Sequence, residues 1–103
     1  MQKVFVMYNL KPGVPLEAYM DWSRTRDQVV TPFQSGVIRF EVYAVRGAEK
    51  GDPPYRIVED VDVDSWEAWQ EALKGPGMAP IVAEWERYGD PSSLVMIYAD
   101  KVK

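Results

Sequence analysis

The stretch Ile57-Val58-Glu59-Asp60-Val61-Asp62-Val63-Asp64-Ser65-Trp66-Glu67-Ala68-Trp69-Gln70-Glu71 decides the fold, because it supports two readings that exclude each other. Asp60, Asp62, Asp64 and Glu71 fall on the ligand spacing of a calcium-binding EF-hand loop. The same letters form a β-strand with alternating apolar residues that runs into a capped helix. The calcium reading fails on its context. The loop's sixth position, where a sharp turn needs Gly, is Ser65, and Val61 and Val63 are β-branched residues that favour a strand. No helix precedes the acidic residues, and helical spacing already begins at Trp66. The strand reading stands, and no metal site is expected.

On that strand Tyr55, Ile57, Val61 and Val63 share one face, with Glu59 among them, while Arg56, Val58, Asp60, Asp62 and Asp64 take the other. A carboxylate on an apolar face breaks the pattern. Burying it unpaired costs roughly several kcal/mol, so it must be paired, protonated or beside a wet cavity. A buried carboxyl of raised pKa serves as a general acid or base, which makes Glu59 a candidate catalytic residue. An ion pair with Arg26 or another cation would instead make it a structural group. Both readings stay open on the sequence alone.

Outward from this stretch, residues 2–10 read as a strand that ends at the turn Lys11-Pro12-Gly13. Pro15 suits a first helical turn, and Leu16, Tyr19, Met20, Val30 and Phe33 recur at helical spacing. Trp22 and Val29 lie beside that stripe, and the helix is expected to end near Pro32. In "VIRFEVYAVRG", Ile38, Phe40, Val42 and Ala44 alternate with Arg39, Glu41 and Tyr43. The Gly/Pro-rich "GAEKGDPP" joins this strand to the next as a hairpin loop. After the third strand, Asp64 and Glu67 resemble a capping box for a helix with the stripe Trp66, Trp69 and Leu73. Gly75-Pro76-Gly77 breaks that helix. A further segment carries Ile81, Val82, Trp85 and Tyr88, and "SLVMIYADKV" closes the chain as a strand. The order β-α-β-β-α-β predicts an α+β, ferredoxin-like domain with an antiparallel four-stranded sheet. Both helices then cover one sheet face, and the bare face predicts a homodimer packed sheet to sheet.

Composition narrows the chemistry. The 103 residues suit one domain spanning 1–103, and 47% hydrophobic content builds a core without staples. With neither cysteine nor histidine, the chain itself supplies no disulfide, thiolate or Ser-His-Asp site. A net charge of −4 argues against nucleic acid. The N-terminal apolar run is too short for a membrane span or a signal segment, so a soluble cytoplasmic protein is expected. Four Trp and six Tyr fill core and interfaces or line an apolar pocket.

Tyr8 lies on the first strand with Val4, Val6 and Leu10, so its hydroxyl enters the same layer as Glu59, where it either packs in the core or orients a ligand. Arg24, Arg26 and Asp27 read most simply as surface charges. Arg39, Glu41 and Tyr43 are either solvated or paired across the dimer interface. Met78, after the helix break, is a candidate movable wall. The candidate substrate-binding set is Tyr55, Trp69, Trp22, Met78 and Arg26.

The element order and broken second helix resemble the dimeric α/β barrel superfamily. The text of "VMYNLKPGVPLEAYMDWSRTRD", "IRFEVYAVRG" and "YRIVEDVDVDSWEAWQEAL" resembles the RedY-like family that includes HapK, over nearly the whole chain. Members of that family accompany pathways for tripyrrole prodiginine pigments and related natural products. The resemblance implies a pocket between sheet and helices, with Tyr8, Glu59 and Trp69 near it. It implies a small, cofactor-independent enzyme or auxiliary protein that holds an apolar, pyrrole-type aromatic intermediate. Glu59 would assist condensation, cyclisation or tautomerisation by proton transfer. A non-catalytic carrier of a pigment precursor and a cofactor-free monooxygenase are the alternatives. Haem-using relatives supply a helix histidine that is missing here, so no cofactor is expected; several other relatives carry a histidine where "RTRDQVV" stands, an acid-base group that this chain lacks there.

Overall fold

The computed structural model describes residues 1–102. Four strands, β1 (Gln2–Tyr8), β2 (Val37–Ala44), β3 (Ile57–Val63) and β4 (Val95–Ala99), form one antiparallel sheet in the order β2-β3-β1-β4. One helical arm, α1 (Leu16–Trp22), a π-helical turn (Ser23–Asp27), α2 (Gln28–Val30) and a 3₁₀ turn (Thr31–Phe33), joins β1 to β2. The other arm, α3 (Trp66–Lys74), α4 (Ala79–Trp85) and a 3₁₀ turn (Pro91–Ser93), joins β3 to β4. This is the ferredoxin-like arrangement expected from the element order.

Alternation along the strands makes the two sheet faces different. Val4, Val6 and Tyr8 from β1 and Ile57, Glu59, Val61 and Val63 from β3 are buried beneath the helices. Direct pairing of Val6 with Glu59 and of Tyr8 with Ile57 fixes this register. β1 is shorter than the run 2–10, and Leu10 makes only an isolated bridge to Gly89. On β2 the alternation slips: the register shifts between Val37 and Arg39, so Ile38 is the extra residue of a bulge. Val37 and Phe40 therefore face the helices, and Ile38, expected in the apolar set, is 53% exposed.

The acidic run behaves as strand. Asp60 and Asp62 both reach Lys3 Nζ at 3.0 Å on the open face, and Arg39 Nε lies 3.4 Å from Asp62. Asp64 does not cap α3. Its backbone N–H donates to the Gly36 carbonyl, and Ser65 is the cap, accepting from the Ala68 N–H at 3.0 Å. The capping signal was therefore displaced by one residue. Ser65→Ala should cost about 1 kcal/mol of stability, read from urea unfolding, because it orphans that N–H.

Candidate functional site

The first arm departs from a plain helix. Tyr19, Ser23, Asp27 and Thr31 are all buried, at a strict spacing of four. An α-helix turns about 100° per residue, so each step of four overshoots by about 40° and three steps carry a side chain about 120° off its face. The wider π-helical turn at Ser23–Asp27 absorbs this drift and keeps all four residues on the buried side of the arm. Asp27, read from the sequence as a surface charge with Arg24 and Arg26, is only 4% exposed. Phe33, expected on the apolar stripe, is 81% exposed, and Val29 is also exposed.

Between this arm, α3, α4 and the sheet lies a cavity of about 420 Å³. Its walls include Trp22, Phe40, Trp69, Met78, Ile81 and Trp85, and two buried carboxyl groups, Glu59 and Asp27, lie on them. Glu59 Oε2 accepts from the Tyr8 hydroxyl at 2.7 Å, and the Tyr8 and Tyr19 hydroxyls are hydrogen-bonded to each other. Because Tyr8 has one hydroxyl hydrogen and gives it to Glu59, Tyr19 donates to Tyr8. A chain of hydroxyls thus runs from α1 to β3. Asp27 Oδ1 accepts from Thr31 Oγ1 at 2.6 Å, and the same hydroxyl lies 3.5 Å from Met78 Sδ.

Burial pushes the Glu59 carboxyl well above its usual range, and the negative charge of Asp27 pushes it further, while the Tyr8 hydrogen bond pulls the other way. Burial likewise raises Asp27 to about 6, against the opposing pull of Thr31. Tyr8 and Tyr19 are raised too, first by burial and then by the neighbouring Glu59 charge. Among the described residues no Lys or Arg lies within ion-pairing distance of either carboxyl. The proposed partner Arg26 is engaged elsewhere: Nε and Nη2 each lie 2.9 Å from a Glu84 oxygen. Trp22 Nε1 also donates to Glu84 at 2.9 Å. Two side chains of the first arm therefore clamp α4, which carries one wall of the cavity.

The structure brings Glu59, Tyr8, Trp69, Trp22 and Met78 together on the cavity. It does not bring Arg26 or Tyr55 to it. Arg26 stands outside on its Glu84 clamp, and Tyr55 is half-buried in the loop before β3. The sequence reading missed Asp27, Thr31 and the Tyr19 hydroxyl. The spacing of four through Tyr19, Ser23, Asp27 and Thr31 was the signal that could have found them.

The family model of the REDY-like protein HapK matches residues 2–102. No curated protein matches the chain in sequence. Among solved structures, HapK from Hahella chejuensis is similar at a TM-score of 0.80 and 19% identity, covering 99% of this chain and 93% of that one. A protein of Bacteroides fragilis, described as dimeric with a ferredoxin-like fold, is similar at 0.72 and 14%, covering 97% and 95%. SnoaB from Streptomyces nogalater, described as a cofactor-independent oxygenase and solved as a mutant, is similar at 0.67 and 16%, covering 99% and 94%.

Proposed function

The chain belongs to the family of the REDY-like protein HapK, and from that premise we propose that it is a small cofactor-independent enzyme or auxiliary factor of prodiginine-type natural-product biosynthesis, acting in the cytoplasm. A flat, apolar, pyrrole-type intermediate occupies the cavity between sheet and helices. Glu59 moves a proton to or from it during condensation, cyclisation or tautomerisation, with Tyr8 holding the carboxyl in place. One observation carries this reading: a carboxyl without a cation is buried in the wall of an aromatic-lined cavity. Natural cores rarely bury such a group, because the charged form costs several kcal/mol or more.

Proton transfer by a positioned carboxyl contributes about 100- to 10,000-fold. Glu59→Gln preserves the Tyr8 hydrogen bond, because the amide oxygen still accepts, but it removes the exchangeable proton. The variant should bind a neutral aromatic intermediate as wild type does and turn it over more slowly by that factor. Binding without turnover in the wild-type protein supports a carrier of a pigment precursor instead, a role that the mostly apolar walls also suit. The likeness in fold to SnoaB motivates a third reading, a cofactor-free monooxygenase, and oxygen uptake with substrate would select it.

The open sheet face supports a homodimer as the working form. Phe5, Met7, Val58, Val95 and Ile97 lie on it, beside the ladder of Lys3, Asp60, Asp62, Arg39 and Glu41. Ile97 is 48% exposed and Tyr43 51%, which is apolar surface that a second sheet would cover. Ile97→Asp should halve the mass measured by light scattering. An unchanged mass would remove this face from the interface.

A further inference from the structure

We propose that the cavity recognises a flat organic cation, or a ring system with a protonated nitrogen, seated between Glu59 and Asp27. The inference rests on reading the cavity as a ligand site and adds the charge of the ligand. Each carboxyl spends one oxygen on a protein hydroxyl, Glu59 Oε2 on Tyr8 and Asp27 Oδ1 on Thr31. The second oxygen of each makes no hydrogen bond among the described residues, and neither is among the fully enclosed unpartnered atoms. Both residues line the same cavity, so two free acceptors face a space in which no Lys or Arg among the described residues pairs with them.

The other charged groups on the lining, Lys74 and Glu86, are exposed side chains. Arg26, the nearest guanidinium in sequence, is held by Glu84. Neither cation pairs with Glu59 or Asp27, which leaves a ligand to bring the positive charge between them. A hard metal ion is a poor fit, because it takes six or more oxygens and the walls here are mainly indole and aliphatic. A planar amidinium or protonated heterocycle suits them better. Its N–H groups reach two carboxylate oxygens, and its ring lies against Trp, whose face attracts cations.

Trp69 lines the cavity and is only 2% exposed, while its indole N–H is fully enclosed without an acceptor, so its ring and not its N–H is what the ligand meets.

The test compares naphthyl amidine, a cation, with naphthyl carboxamide, its neutral isostere, by tryptophan fluorescence and calorimetry on the whole protein. Hydrogen bonds to charged groups predict that the amidine binds roughly 10- to 100-fold more tightly. Asp27→Asn and Glu59→Gln should each weaken the amidine by about tenfold and leave the carboxamide within about twofold. Circular dichroism checks that both variants are folded, and the wild-type comparison stands without them. Equal affinity for the two probes overturns the cation inference and leaves the cavity reading intact. Failure of both probes to bind, or of the amidine to compete with a pathway intermediate, counts against the cavity as well.

Discussion

Asp27→Asn should raise the thermal midpoint by on the order of 10 °C around pH 8 and leave it nearly unchanged near pH 4. Burial raises the Asp27 carboxyl from 3.8 to about 6 in the folded chain. The native state therefore holds this proton more tightly than the unfolded chain does. The stability linked to it is fully present below about 3.8, shrinks as the pH rises, and is gone once the pH passes about 6. A shift of this size is on the order of 2–3 kcal/mol, and each kcal/mol moves the midpoint by about 4–8 °C in a domain of this length. Asn accepts the Thr31 hydrogen bond without ionising, so the variant escapes the loss. It also relieves Glu59 of a neighbouring negative charge. Calorimetric scans of both proteins from acid to alkaline pH check the claim. A gain that is the same at every pH, or a destabilised variant around pH 8, would refute it. A stability gain together with a loss of function would mark Asp27 as kept for function at the expense of the fold.

Trp69→Ala should be the most damaging single truncation, costing about 3–5 kcal/mol. Trp69 is among the largest fully buried side chains and belongs both to the core and to the cavity wall. Truncation would merge a new void with the existing cavity, and the helices would collapse onto it only in part. Against a total of about 5–15 kcal/mol, this is a large fraction of the stability of the domain. Trp69→Phe keeps most of the packing and deletes the unpartnered N–H, so it should cost much less. Urea unfolding followed by circular dichroism separates the two, and a cost below about 1 kcal/mol for Trp69→Ala would show that the core does not depend on it.

The architecture was legible because the strands repeat every two residues and each is punctuated by Gly and Pro. Glu59 was legible for the same reason, since it interrupts an apolar series whose phase Ile57, Val61 and Val63 fix. Tyr8 followed from the phase of Val4 and Val6. Wherever the backbone inserts a residue, that arithmetic fails. Ile38 left the apolar face because a bulge shifts the register of β2, and Asp27 joined the buried face because a π-helical turn widens the helix. Arg26 was misplaced for a different reason. Charge complementarity with Glu59 was plausible on the sequence, but α4 brings Glu84 to it first, with bidentate geometry. Long-range pairing of this kind is set by tertiary structure, and local text carries no trace of it.

The wide turn at Ser23–Asp27 also bears on descent. A π-helical turn is an α-helix with one residue too many, so a single inserted codon can swing an acid from water into the interior while the sheet stays as it was. A deletion of the same size undoes it. Kindred proteins with this arm shorter by one residue would keep the glutamate on β3 and lose its companion. Helix length in this arm would then sort the kindred into those with two inward acids and those with one.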